Sequence, residues 1–390
     1  MKSFNLSYIP AIDHLRAFAA ALVLLQHCHA FIGGRLALGP GGNLAGAPAR
    51  TPLDSLVIEG HTGVALFMVL SGFIFTHIAY GKDVRYGPFL LNRILRIYPL
   101  LIAMFTLGFL VEYPDVSLLG FLAVLTIPLQ LAGPIDLWFV PSIYPFTSLF
   151  WTIAPEFQFY LLFPFILALL HRYGAIVLAV FVAGAILLRV LLVADGAAPQ
   201  DLSYWTVFGR IDQFLIGMGA ALVFRAFAER QLEILCIVPL AALPFILFAF
   251  NQVGGLANQS GWKILWPTME GLLWAAFVVG YLQFAQRLPG WLSRGLAHMG
   301  EVSFSMYLLH VAVIATVLQL GPLTFGLGPG TASVVNGVLL VLPGTVALSW
   351  ITFRVIERPF LRLRVRYLSD RPSARFDQSS GSTAMSGAAK

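Results

Sequence analysis

The feature that most constrains this chain is a succession of apolar runs, each near the roughly 20 residues that a helix needs to cross a bilayer. Ten fall at 15–33, 62–80, 95–113, 150–170, 174–193, 209–228, 232–250, 267–285, 300–320 and 332–353. A backbone surrounded by hydrocarbon must satisfy its own polar groups, so runs of this length and spacing read as helices packed against one another. With 58% hydrophobic and only 11% charged residues among 390, a water-soluble globule is excluded. The expected fold is an all-α polytopic membrane protein with about ten transmembrane helices.

An eleventh apolar stretch, 117–132, decides the topology. If it crossed, His171 and Arg172, the cluster from Arg225 to Arg230 and that from Arg287 to Arg294 would all face outward, against the Lys and Arg excess of cytoplasmic loops. If it does not cross, they join Lys82, Arg85, Arg93, Arg96 and the basic C-terminal segment in the cytoplasm. The sequence therefore predicts both termini cytoplasmic, with 117–148 as one re-entrant or interfacial segment. Residues 1–360 read as an integral-membrane domain and 361–390 as a basic, then disordered, cytoplasmic tail ending in FDQSSGSTAMSGAAK. Asp13, His14 and Arg16 lead straight into the first span without a clean cleavage site, so this helix is expected to be retained. The net charge of +6 is topological in this reading, and no nucleic-acid partner is expected. Cys28 and Cys236 lie in separate apolar runs, which points to neither a disulfide nor a metal site.

Ionisable residues inside such spans are costly and mark function. Arg16 and His27 are eleven residues apart; eleven steps of about 100° return to nearly the same helical face, about 16 Å further along the axis. Arg16, near the cytoplasmic mouth, suits a phosphate. His27, just outside the midplane, suits a general base that takes the proton of a hydroxyl as it attacks an acyl thioester. Glu156 enters from the other side to a similar depth and is a candidate to orient His27, with Thr152 and Tyr160 four residues to either side on its own face. Arg93 and Arg96, three apart in NRILRIYP, share a face at the same mouth. Ser71 and Gly72 are small enough to let helices approach or a thin ligand pass.

Toward the outer ends, Arg210 and Asp212 are expected to group with Arg189, Glu270 and Glu112 as an entrance for a polar acceptor, while Ser303, Tyr307 and His310 are expected to line one cavity. His14 and His29 differ from His27 in face or depth and read as structural. The expected catalytic set is thus His27, Glu156 and Arg16. The donor-binding set is Arg16, Arg93, Arg96, Ser71 and Gly72, and the acceptor-binding set is Tyr160, Arg210, Asp212, Tyr307 and His310. A donor with phosphates at one end and a thioester about 16 Å deeper fits acyl-coenzyme A, and no Walker or dinucleotide glycine fingerprint competes with it. No metal is expected. A proton-coupled transporter is the competing class, although no internal repeat is visible.

In order along the chain, IDHLRAFAAALVLLQH, GHTGVALFMVLSGFIF, NRILRIYPLL, FWTIAPEFQFYLLFP, GRIDQFLIGMGAAL, MGEVSFSMYLLH and FRVIERPF resemble acyltransferase family 3, the bacterial integral-membrane O-acyltransferases. The likeness runs from about Ile12 to Phe360. It implies transfer of an acyl group, commonly acetyl from acetyl-CoA, across the bacterial inner membrane to a hydroxyl presented at the outer side. It also implies essential roles for the first-span arginine and histidine, here Arg16 and His27, and family positions for Arg93, Arg96 and Glu156. Some relatives carry a C-terminal hydrolase-like domain, so a second transfer step is expected to need a separate protein here. The expected acceptor is a glycan or lipid-linked sugar of the exopolysaccharide or lipopolysaccharide type. A small glycosylated metabolite such as a macrolide is the alternative.

Overall fold

The structure, a computed structural model, describes residues 8–112, 146, 149–227 and 231–370. The expected re-entrant segment, apart from Phe146, and the tail beyond 370 lie outside the described residues. Among the described residues, ten helices are long and apolar enough to cross a bilayer: Pro10–Leu38, Thr62–Ala79, Tyr86–Val111, Phe150–Tyr173, Ile176–Ala194, Val207–Ala226, Ile234–Gln252, Trp266–Arg287, Ser303–Leu320 and Pro329–Leu361. The chain is an all-α polytopic membrane protein. The third span begins nine residues before the apolar window that announced it. Arg93 sits in that extra length and Arg96 just inside the window, and their charge hides a continuous helix from hydropathy.

The second and sixth spans form the centre. A Cβ built on Gly72 would lie 2.0 Å from the Phe214 carbonyl oxygen, and one on Gly217 would lie 2.1 Å from that of Val69. Backbone thus meets backbone in both directions, a packing that small residues permit. Phe159 of the fourth span stacks on Phe214 with ring centroids 4.2 Å apart, adding the aromatic helix to this centre. The fifth span is the outlier, with only Leu178, Ala185 and Arg189 buried along its length, so its remaining apolar surface is left for lipid.

Contacts between loops sort the span ends into two faces. Gly81 N–H donates to His171 (2.9 Å), Arg225 to the His77 carbonyl (3.3 Å), and His14 lies 2.8 Å from the Ser293 carbonyl. Strand β1, Lys82–Val84, pairs antiparallel with β2, Leu368–Asp370, with Lys82 opposite Asp370. The basic loops after spans two, four, six and eight and both described chain ends therefore share one face, called here the basic face. On the opposite face Asn251 accepts from Ala49 N–H (2.7 Å) and Ser55 donates to the Pro244 carbonyl (2.8 Å).

Three π turns, His29–Gly33, Gly337–Val341 and Phe353–Glu357, interrupt the first and last spans. Single π turns inside α-helices frequently accompany functional sites. The first follows His27 almost directly. The last span approaches it closely, since a Cβ on Gly337 would lie 2.9 Å from the Leu25 side chain and 3.4 Å from Cys28 Sγ.

Candidate functional site

A cavity of about 660 Å³ lies between the first, second, third, fourth and ninth spans on the basic side of the bundle. That is within the range of about 300–1,000 Å³ typical of small-molecule sites. Arg16, Arg93, Arg96, Arg294 and Arg364 line it, against Asp13, Glu156 and Glu301. The arginines are not equivalent. Arg16 pairs with Asp13 at 3.1 Å, and Arg96 with Glu357 of the last π turn at 2.9 Å. Ser305 also donates to Glu357, so that carboxylate is held from two helices. Arg93 makes no ion pair among the described residues. Its guanidinium lies over the rings of Phe75 (4.9 Å), Phe89 (5.5 Å) and Tyr160 (5.7 Å), an arrangement that stabilises a cation while leaving its fork free.

Further in, the Tyr160 hydroxyl donates to the Glu156 carboxylate one helical turn away, and both line the cavity with Thr152, Ser71 and Tyr307. Gly72 does not; its role is the close approach to Phe214. His27 and Glu156 are not brought together. His27 instead lies 3.1 Å, Nδ1 to Nε2, from His310 of the ninth span, and its ring stacks on Phe31 at 5.9 Å. His27 is partly exposed but does not line the cavity, whereas Tyr307 does, with its ring 6.0 Å from that of His310. Tyr307 therefore stands between the basic cavity and the histidine pair.

The hydrogen bonds around this pair determine its tautomers. His310 Nδ1 faces the Met306 carbonyl at 3.2 Å, which can only accept, so that nitrogen carries the proton and Nε2 offers a lone pair. His27 Nδ1 faces both the Val23 carbonyl (2.9 Å) and that lone pair, so it too carries its proton. The result is a His27 with a bare Nε2, fixed in orientation from two helices. An imidazole held this way offers Nε2 as an acceptor, and the side chain that holds it is another imidazole where a carboxylate was expected.

Arg210 and Asp212 fall in a separate network nearer the opposite face. Arg189 and Asp212, both 0% exposed, pair at 2.8 Å; Arg189 also donates to the Gly209 carbonyl, and Thr268 to Asp212 (2.5 Å). Arg210 lies 3.6 Å from Glu270, donates to Gln213, and stacks 4.3 Å over Tyr204. Beside it, Glu59 accepts from Asn251 (2.6 Å) and lies 3.2 Å from His61. Lys263 donates to Gln200 Oε1 (2.7 Å) and the Gly255 carbonyl (2.5 Å). Burial pushes the Lys263 amine down to about 8, offset in part by the charges of Glu59 and Glu270. Burial alone would raise Glu59, but hydrogen bonds from His61 and Asn251 and the charge of Lys263 hold its carboxyl below the usual range. Three cations face three carboxylates here, a balance absent from the basic cavity.

Glu59, His61, Lys263, Arg294 and Arg364 were not legible as site residues in the sequence. All lie in loops or interfacial segments, where charge is ordinary. No cluster of three or more metal-ligating side chains occurs among the described residues.

The profile of a family described as acyltransferase domain matches residues 9–354, which include the whole cavity wall apart from Tyr8, Leu361 and Arg364. The chain belongs to the acyltransferase domain family. Its relatives include nodulation protein 10 of Rhizobium leguminosarum bv. viciae, 25% identical over 93% of this chain and 95% of that protein. O-acetyltransferase OatA of Staphylococcus aureus is 23% identical over 81% of this chain, which spans about half of OatA's length (52%). No solved structure matches the chain. As a member of the family it is a membrane acyltransferase.

Proposed function

We propose that this acyltransferase moves an acetyl group from cytoplasmic acetyl-CoA to a hydroxyl of an extracytoplasmic glycan, of the exopolysaccharide or lipopolysaccharide class, in the bacterial inner membrane. The observation that carries the reading is the single helix that joins the two parts of the site. Arg16 lines a cavity with more cations than carboxylates, and eleven residues on, about 16 Å along an unbroken helical stretch, His27 presents an unprotonated Nε2. Coenzyme A has that shape, with phosphates at one end and a thioester at the end of an extended arm. Arg93, Arg96 and Arg16 are assigned to the phosphates, and the arm passes Ser71, Glu156 and Tyr307 toward His27. A donor and an acceptor need separate approaches, and a His27 that is partly exposed yet absent from the cavity wall supports a second one.

In direct transfer, His27 Nε2 takes the proton of the acceptor hydroxyl as its oxygen attacks the thioester carbonyl. The carbon–sulfur bond then breaks, and the departing thiolate takes the proton from the imidazolium, giving an acetyl ester and free coenzyme A. General-base catalysis is worth about 10²–10⁴-fold, so His27→Ala in purified, folded protein should reduce acceptor-dependent consumption of acetyl-CoA by that factor. Mass analysis of surface glycans from cells with and without the protein identifies the transferred group and acceptor together. Full turnover by His27→Ala would remove His27 as the base, and substrate flux without donor consumption would indicate transport instead.

A further inference from the structure

Two cations in the cavity wall have no role so far: Arg294, which is exposed and donates to the Gly290 carbonyl of its own helix, and Arg364. Arg364 lies three residues past the last span, in the segment that reads from sequence as a free basic tail. It is instead pinned at the mouth. Asn92 of the third span donates to the Val365 carbonyl (2.7 Å) and accepts from Val365 N–H (2.9 Å), so the residue next to Arg364 is clamped through both backbone groups. Arg85 N–H donates to the Tyr367 carbonyl (2.9 Å), the Tyr367 ring packs against Phe89 (5.3 Å), and β2 then pairs with β1.

This rigid mount holds Arg364 in an electrostatically unfavourable place. It lines the cavity half-buried, without an ion pair or hydrogen bond among the described residues, and its Nε is fully buried with no acceptor. Arg93 Nε is buried and unpartnered as well. Burial, then the charges of Arg93 and Arg96, push the Arg364 guanidinium down to about 9, so it still carries its charge at neutral pH. Asp13 and Glu357 compensate Arg16 and Arg96. Arg93 and Arg364 are thus two half-buried arginines on one cavity with no ion pair among the described residues and with buried, unpartnered Nε atoms, whereas Arg294 is exposed, and a desolvated charge without a partner is destabilising unless an anion fills the gap.

We propose that Arg364 is a phosphate ligand for the acyl donor, carried to the cavity by the β1–β2 clasp and completing a two-guanidinium anion site with Arg93. The assignment rests on the coenzyme A reading above. A guanidinium fork matches the oxygens of a phosphate two at a time, which an amine does not.

The test is calorimetric titration of acetyl-CoA into the full chain in nanodiscs of phosphatidylcholine, and again with phosphatidylglycerol added. Arg364→Gln should weaken binding at least tenfold, with a melting temperature in the absence of donor no lower than that of the wild type. Arg364→Lys should recover part of the loss, and Arg362→Gln, an exposed arginine of the same segment, should bind as the wild type does. Equal affinity of Arg364→Gln and wild type overturns the inference. So does an equal loss in Arg362→Gln, which would make the effect one of diffuse charge. Unchanged donor affinity with reduced retention of phosphatidylglycerol would give Arg364 to a lipid phosphate and overturn it likewise. A wild type that binds no acetyl-CoA would overturn the donor reading itself.

Discussion

Replacing His310 by phenylalanine keeps a ring of similar size in the ninth span and removes the lone pair that faces His27. The hydrogen bond lost is the one of 3.1 Å between the two imidazoles, while the 2.9 Å bond from His27 Nδ1 to the Val23 carbonyl remains. His27 therefore keeps its tautomer and loses one of the two contacts that fix its ring. A neutral hydrogen bond contributes about 0.5–1.5 kcal/mol net. If that much orientation is lost from the transition state, kcat falls by about 2- to 13-fold, since 1.36 kcal/mol is tenfold in rate. KM for the donor should not move, because His310 does not line the basic cavity. His310→Gln should restore much of the rate, its amide oxygen accepting where Nε2 did. The assay is initial-rate acetyl transfer at saturating donor, with His27→Ala as reference. A phenylalanine variant at the wild-type rate would refute the orienting role. One as damaged as His27→Ala, with a loss of about 10²–10⁴-fold, would show that His310 itself handles the transferred proton or acyl group.

Two further outcomes follow from the network near the opposite face. Asp212→Ala strands Arg189 with no exposure to solvent and should reduce stability by about 3–5 kcal/mol, read as thermal unfolding in detergent, whereas Asp212→Leu combined with Arg189→Met should recover most of it. Lys263 has a folded-state pKa of about 8 against 10.5 for an unperturbed lysine, so between those values the unfolded chain binds more protons and stability rises with pH. The melting-temperature difference between wild type and Lys263→Met should accordingly move in favour of wild type from about pH 8 to 10.5; a constant difference would refute the shift.

The ten spans were legible because hydropathy over about 20 residues is a property of the chain alone. So was the grouping of Arg16 with Arg93 and Arg96, since alternating spans bring their basic ends to one face. Partners were not legible. Arg96 meets Glu357 across 261 residues of sequence and His27 meets His310 across 283, choices made by how helices rotate against each other rather than by any local pattern. The depth expected for both residues was no guide to their partners, since His27 meets His310 whereas Glu156 lines the cavity. Hydropathy also cannot tell a lipid-facing helix side from a protein-facing one. Arg189 and Asp212 therefore read as interfacial charges although both are sealed inside. The β1–β2 clasp consists of two three-residue strands, too short to leave a pattern in sequence.

The mutual contact of the second and sixth spans has a mechanical consequence. With Gly72 against the Phe214 carbonyl and Gly217 against that of Val69, there is no slack along this seam for sliding or tilting. The pair is a keel. Any widening that lets a bulky nucleotide enter, or lets its arm swing past Tyr307, has to be taken up by the other helices around the cavity, the first, third, fourth and ninth among them. Spectroscopic labels on these helices should move when donor is added, while labels across the seam stay at a fixed separation.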